Sequence, residues 1–169
     1  MTSPQPTSPQ PTSPQPTSSS APDRPVEPAA AALYDALEAE HATIYGYGIV
    51  SAHSAPEDNW LVSLSIARHR EQRESLITML EAQSVTPPPA APGYQLPHVV
   101  NDPTEAAALA VQMERDSAVA WRAVLEQATS ESDRAYAVDA LTQSAILIAR
   151  WQTLLGVWPV TEAFPGGSE

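Results

Sequence analysis

The segment from Ser84 to Asp102, Ser-Val-Thr-Pro-Pro-Pro-Ala-Ala-Pro-Gly-Tyr-Gln-Leu-Pro-His-Val-Val-Asn-Asp, lies between two long stretches of helical periodicity. Its prolines remove backbone donors and keep it out of helix and sheet. A long connection without structure of its own is uncommon inside a compact domain and needs a topological reason. A helix of about 26 residues is roughly 40 Å long, and about 19 extended residues reach roughly 60 Å. The segment is long enough to run the whole length of a helical bundle.

Two helices are expected on either side of it. The first opens at Pro28, a residue pre-set for the first helical position, and runs to about His53 with a seam of Leu33, Leu37, Glu40, Ile44 and Tyr47. Pro56 restarts the chain, and the second helix, about Glu57 to Gln83, has Val62, Ile66, His69, Arg73, Leu76 and Leu80 as its seam. Asp102-Pro-Thr-Glu105 opens a third helix to about Ala128, with Ala107, Val111, Glu114, Ala118, Trp121 and Leu125 on one face. Ser130 caps a fourth, ending at Leu155 before Gly156, with a stripe of Val138, Leu141, Ala145, Ile148 and Leu155. The aromatic C-terminal segment is expected to fold back on the bundle. Short, long, short connections predict an all-α four-helix bundle of ferritin-like topology, with a long crossover between helices two and three.

Residues 2–16 repeat Thr-Ser-Pro-Gln-Pro three times. That composition favours polyproline II and has nothing to bury, so residues 1–27 are expected to be a disordered tail and 28–166 the bundle. The chain carries a net charge of -12 and no cysteine. The charge argues against nucleic acid as a partner, and thiol chemistry is excluded. No apolar run is long enough for a membrane span and no signal-peptide layout is present, so a cytoplasmic protein is expected.

Polar residues interrupt the seams at mid-helix. A di-iron bundle needs a Glu from each of two helices and a Glu-x-x-His pair from each of the others. Only His41 has a glutamate three positions earlier, Glu38, and the fourth helix has neither Glu nor His between Arg134 and Leu155. A complete di-metal site cannot be built. Glu40, His69, Glu114 and Asp139 or Gln143 nevertheless fall near the midpoints of their helices and would share one layer. Two readings of that layer stand. In the leading one Arg73, a turn from His69, pairs with Glu40 or Glu114, so that Glu40, His69, Arg73, Glu114 and Asp139 form a central ion-pair layer without cofactor. In the other, Glu40, His69 and Glu114 hold one iron or manganese ion. Tyr45 and Tyr47 would be redox neighbours only beside a metal, and Trp60, Trp121 and Trp151 are expected in the core or between helices.

Glu40-His-x-x-Ile-Tyr-x-Tyr-Gly48, His69-Arg-x-x-Arg73, Pro92-Gly-Tyr-Gln-Leu-Pro97 and Ala163-Phe-Pro-Gly166 resemble an actinobacterial ferritin-like domain family of unknown function, over about residues 29–166. The resemblance implies the ferritin-like bundle and brings no activity with it. The expectation is therefore a structural or interaction bundle rather than an enzyme, a homodimer through its helix faces or a binder of an unidentified protein. A metal-dependent oxidase or iron-handling protein is the alternative.

Overall fold

The computed structural model describes residues 22–167. The Thr-Ser-Pro-Gln-Pro repeats, and the disorder expected of them, lie outside the described residues. Four helices make up the described chain: α1 Pro28–His53, α2 Asn59–Ala82, α3 Pro103–Gln127 and α4 Glu131–Leu155. A single 3-10 turn, Pro56–Asp58, precedes α2. No strand occurs among the described residues.

The ends follow the local chemistry. Glu27 accepts from the Ala30 amide ahead of α1 at 2.8 Å. Asp102 accepts from the Glu105 amide at 2.8 Å, satisfying an orphan donor at the start of α3, while the Glu105 carboxylate takes the amide of Asn101, the residue ahead of the cap, at 2.7 Å. Ser130 Oγ accepts from the Asp133 amide at 3.0 Å, and Gly156 closes α4 in the left-handed region at φ 66°. The segment just ahead of α1, assigned to the tail from sequence, is held in place. Tyr34 Oη donates to the Pro22 carbonyl at 2.6 Å, and Arg24 forks onto Asp35 through two 2.6 Å contacts.

Hydrogen bonds fix the helix directions. Trp121 donates to Glu40 and Tyr47 donates to Glu114, so later residues of α1 meet earlier residues of α3 and the two run antiparallel. Trp121 against Tyr136 and Ser117 against Ser144 make α3 and α4 antiparallel too. α1 lies between α2 and α3, and α2 meets α4 only lightly. The core is split in two. One apolar cluster gathers Leu33, Leu37, Leu76, Leu80, Trp121 and Val124; the other gathers Tyr47, Val50, Leu61, Leu109, Ile148 and Trp151. Between them lies a layer of buried polar residues on all four helices, including Glu40, His69, Glu114 and Ser144.

Residues 83–102 carry no helix or strand beyond the closing turn of α2. Val85 packs on the first cluster, the Pro88 carbonyl lies 3.2 Å from His41 Nε2, the Tyr94 ring packs on Tyr45 at 5.4 Å, and Val100 is buried in the second cluster. Val99, next to it, is 74% exposed.

Two seam assignments shift in part. On α2 the buried residues are Leu61, Val62, Ser65, His69, Gln72, Leu76 and Leu80, so Val62, His69, Leu76 and Leu80 lie inward as expected and Gln72 rather than Arg73 faces inward beside them. On α4 the buried residues are Ala137, Ala140, Ser144, Leu147, Ile148, Trp151 and Gln152, so Ile148 of the expected stripe lies inward, while Ala137 and Ala140 take the places expected of Val138 and Leu141. The reason is common to both: side chains three and four apart share a face, and bulky aliphatics flanking that face mimic it. Trp60, expected in the core or at an interface, is 58% exposed, whereas Trp121 and Trp151 are fully enclosed. Gly46 sits where a Cβ would come within 2.2 Å of Met113 Sδ, so it admits a side chain of α3 rather than a backbone.

The C-terminal segment does fold back, through polar contacts. Arg115 Nε meets Glu162 at 2.6 Å and Arg122 donates to the Gly166 carbonyl at 3.3 Å. The Gln152 amide donates to the Val160 carbonyl at 2.7 Å and accepts from Arg115 at 3.0 Å. Gly166 has φ 73°, and a Cβ there would lie 2.5 Å from the Ala118 carbonyl oxygen. Gly166→Ala is therefore expected to loosen residues 157–167, seen as faster amide exchange in that segment while the helices stay protected. Gly156→Ala, with φ 66° and open space around it, costs only left-handed strain of about 1–2 kcal/mol in equilibrium unfolding.

Candidate functional site: a buried carboxylate–imidazole layer

His69 is the centre of the polar layer. Its ring is 1% exposed, and each nitrogen faces a carboxylate: Nδ1 lies 2.7 Å from Glu40 Oε2 and Nε2 lies 3.0 Å from Glu114 Oε1. A neutral imidazole has one donor, so with both carboxylates ionised the two contacts are satisfied together by imidazolium. Burial opposes that charge, but the carboxylates of Glu114 and Glu40 outweigh it and push the His69 pKa up to about 10.

The carboxylates are held in turn by the other helices. Glu40 Oε1 accepts from Trp121 Nε1 at 2.8 Å and from Ser117 Oγ at 3.3 Å. Glu114 Oε1 accepts from the Tyr47 hydroxyl, which itself accepts from Trp151 Nε1 at 3.0 Å. Burial first, then the neighbouring Glu114 carboxylate, raises the Tyr47 pKa well above the ordinary phenol value, so Tyr47 stays a donor. The result is a chain, Trp121–Glu40–His69–Glu114–Tyr47–Trp151, that crosses from α3 through α1 and α2 and ends on α4. Among the described residues, Glu114 Oε2 and Gln72 Oε1 are buried without a hydrogen-bond partner. Each unmet group costs about 1–3 kcal/mol.

Of the residues singled out from sequence, the structure brings Glu40, His69 and Glu114 together. It does not bring Arg73 or Asp139. Arg73 lies one position off the inward face of α2 and pairs with its neighbour Glu74, Nε to Oε1 at 3.0 Å. Asp139 is exposed on α4, where Ala140 and Ser144 take the inward positions. Arg73 therefore does not supply the layer's positive charge; His69 does. Gln143 is half-buried and not among the layer's hydrogen-bond partners, and His41 sits against the connection at Pro88. Missed from sequence were Ser117, Trp121 and Trp151 as hydrogen-bond donors. The indoles carry no signal beyond being large residues on inward faces.

An iron or manganese ion was tested against these donors. The two carboxylates lie at opposite edges of the ring, and the ring nitrogens point away from each other. Glu40, His69 and Glu114 therefore do not converge on one point, and among the described residues no group of three or more His, Asp or Glu side chains is placed to hold a metal. The residues present do not fit the ion.

The raised His69 pKa gives a signed pH dependence. The native state holds a proton that the unfolded state releases, so the stabilisation is complete below about pH 6.5 and is lost as pH rises through about 10. Unfolding free energy measured by urea titration is expected to decline across that window, and His69→Gln should flatten the decline. His69→Ala, which leaves two buried carboxylates without their cation, is expected to cost about 3–5 kcal/mol. Arg73→Ala, at a partly exposed pair, should stay within about 0.5 kcal/mol.

Comparison with known proteins follows this geometry. The family described as a domain of unknown function (DUF4439) matches residues 32–169. The chain is similar to a conserved hypothetical protein, rv2844, from Mycobacterium tuberculosis, whose crystal structure aligns with a TM-score of 0.75 at 55% identity. That alignment covers 81% of this chain and 96% of that one. No curated protein matches the sequence significantly. The family match takes in α1 from residue 32 onward, all of α2, α3 and α4, every residue of the carboxylate–imidazole layer and the folded-back C-terminal segment, and the chain belongs to this family of domains of unknown function.

Proposed function

We propose that this chain is a ferritin-like bundle in which a protonated histidine stands where a metal-bearing relative would place its ions, and that it works as a structural or interaction module rather than an oxidase. The observation that carries the reading is His69 held at both ring edges by Glu40 and Glu114. One imidazolium supplies the positive charge that buried carboxylates require. The ferritin-like assignment is supported by two short connections around one of residues 83–102, and by α2 and α3 running in the same direction on either side of it. A degenerate metal layer fits the small residues of α4, Ala137, Ala140 and Ser144, which face inward where ligands would be needed.

The interaction role is supported by exposed apolar side chains on α4, Val138, Ile146 and Leu154. A homodimer through helix faces, or contact with an unidentified protein, would cover them. No helix among the described residues is long and apolar enough to cross a membrane, and a cytoplasmic setting belongs to the same proposal.

The decisive measurement is elemental analysis of protein purified from cells supplemented with iron and manganese. Substoichiometric metal, with a melting temperature unmoved by chelator, is expected. Stoichiometric iron or manganese that disappears in Glu114→Ala would overturn the proposal in favour of a metal-dependent oxidase or iron-handling protein at Glu40, His69 and Glu114. For self-association, sedimentation at increasing concentration should show a dimer that Ile146→Glu weakens; a monomer throughout would remove the dimer.

A further inference from the structure

The N-terminal repeat and the C-terminal segment are the two features that the polar layer leaves unused. The C-terminal segment is fastened to α3 and α4 by Arg115, Arg122 and Gln152, yet it turns its large rings outward: Trp158 is 79% exposed and Phe164 is 73% exposed. Fixed aromatics beside arginines are the composition of contact surfaces. Two grooves meet at Phe164. One of about 570 Å³ runs past Val119 and Trp158, and the other, of about 690 Å³, past Leu125 and Leu141. Phe164 lines both and is the ridge between them.

The sequence contains a segment that suits such a pair of grooves. The triple repeat places Pro6-Thr-Ser-Pro9 and Pro11-Thr-Ser-Pro14 in succession. In polyproline II, residues three apart share a face and lie about 9 Å from one another. Docking of two such prolines into neighbouring aromatic-lined grooves is an established recognition mode. Charge agrees. No side chain of residues 2–22 is ionisable, so the repeat meets no repulsion from a chain of net charge -12. Reach also agrees. Pro22 is tied to Tyr34 near the start of α1, and the register that sets Glu40 beside Trp121 puts this end of α1 alongside Arg122 and Leu125 of α3. The residues from Pro14 to Pro22 can extend about 25 Å, roughly two helix diameters.

We propose that the Thr-Ser-Pro-Gln-Pro repeat of residues 2–16 docks on its own chain, as a polyproline ligand seated in the two grooves on either side of Phe164. The docked repeat covers Trp158 and Phe164, and a proline-rich segment from elsewhere would compete for the same surface.

The test uses the full chain beside a variant with Pro6→Ala, Pro9→Ala, Pro11→Ala and Pro14→Ala. The Trp158 indole N–H resonance, assigned with Trp158→Phe, is followed in both. It is expected to differ between the two chains at every protein concentration. A synthetic peptide of three Thr-Ser-Pro-Gln-Pro repeats should return it saturably toward the position in the unaltered chain, and Phe164→Ala should abolish both effects. The Trp121 and Trp151 indoles, bonded inside the bundle, report that each variant is folded. Coincident Trp158 resonances in the two chains, or a peptide without effect, would overturn the proposal. A shift that grows with protein concentration equally in both chains would overturn it as well, assigning the grooves to a second copy.

Discussion

The contact of one imidazolium with two carboxylates at the middle of the bundle is the constraint on which the other features depend. Two buried carboxylates on α1 and α3 cannot be enclosed without a cation. His69 brings that cation from α2, and because its two nitrogens face in different directions it engages one carboxylate on each side. Trp121 and Ser117 then hold the other Glu40 oxygen, Tyr47 shares Glu114 Oε1 with His69, and Trp151 links the chain to α4. Each helix thus contributes to one hydrogen-bonded string. A shift of any helix by one residue would break it. The layer specifies register, while the apolar clusters on either side supply the driving force for burial.

The same arrangement explains why the site reads as metal-like in composition and not in geometry. A ligand set needs lone pairs that converge, whereas an ion-paired histidine needs carboxylates that diverge around its ring. Glu40, His69 and Glu114 are the residue types of the first and the arrangement of the second. The shortfall lies on α4. At the depth of the layer its inward residues include Ala137, Ala140 and Ser144, all small, and α2 and α4 are in light contact. Large apolar side chains also lie on the outside of the bundle, where α4 and the C-terminal segment expose Val138, Ile146, Trp158 and Phe164.

The helix ends were legible because capping chemistry is local. Pro28, Asp102 with Glu105, Ser130 and Gly156 each act within a turn of themselves, and each sits where expected. The length and proline content of residues 84–102 were legible for the same reason. Inward faces were read less well. On α3 the apolar stripe and the buried face coincide, and Glu114 was placed correctly. On α2, Gln72 and Arg73 are adjacent, and a single step along the helix turns a side chain about 100° from the core to its edge. On α4, Val138 and Leu141 outweigh Ala137 and Ala140 in any hydrophobic pattern, although the small residues are the buried ones.

The sequence by itself determined four helices, their caps, one long connection and a set of polar residues at matching depth. It did so because propensity, capping and period are properties of a few neighbouring residues. Only the tertiary structure decided which groups neutralise one another. Arg73 and His69 both carry suitable chemistry on α2, and choosing between them depends on a rotation about the helix axis set by packing against α1. Likewise, that Trp121 and Trp151 act as hydrogen-bond donors to the layer, while Trp60 and Trp158 face outward, follows from where the other helices lie. Burial of charge is a property of the assembled bundle, and the pairing that compensates it exists only there.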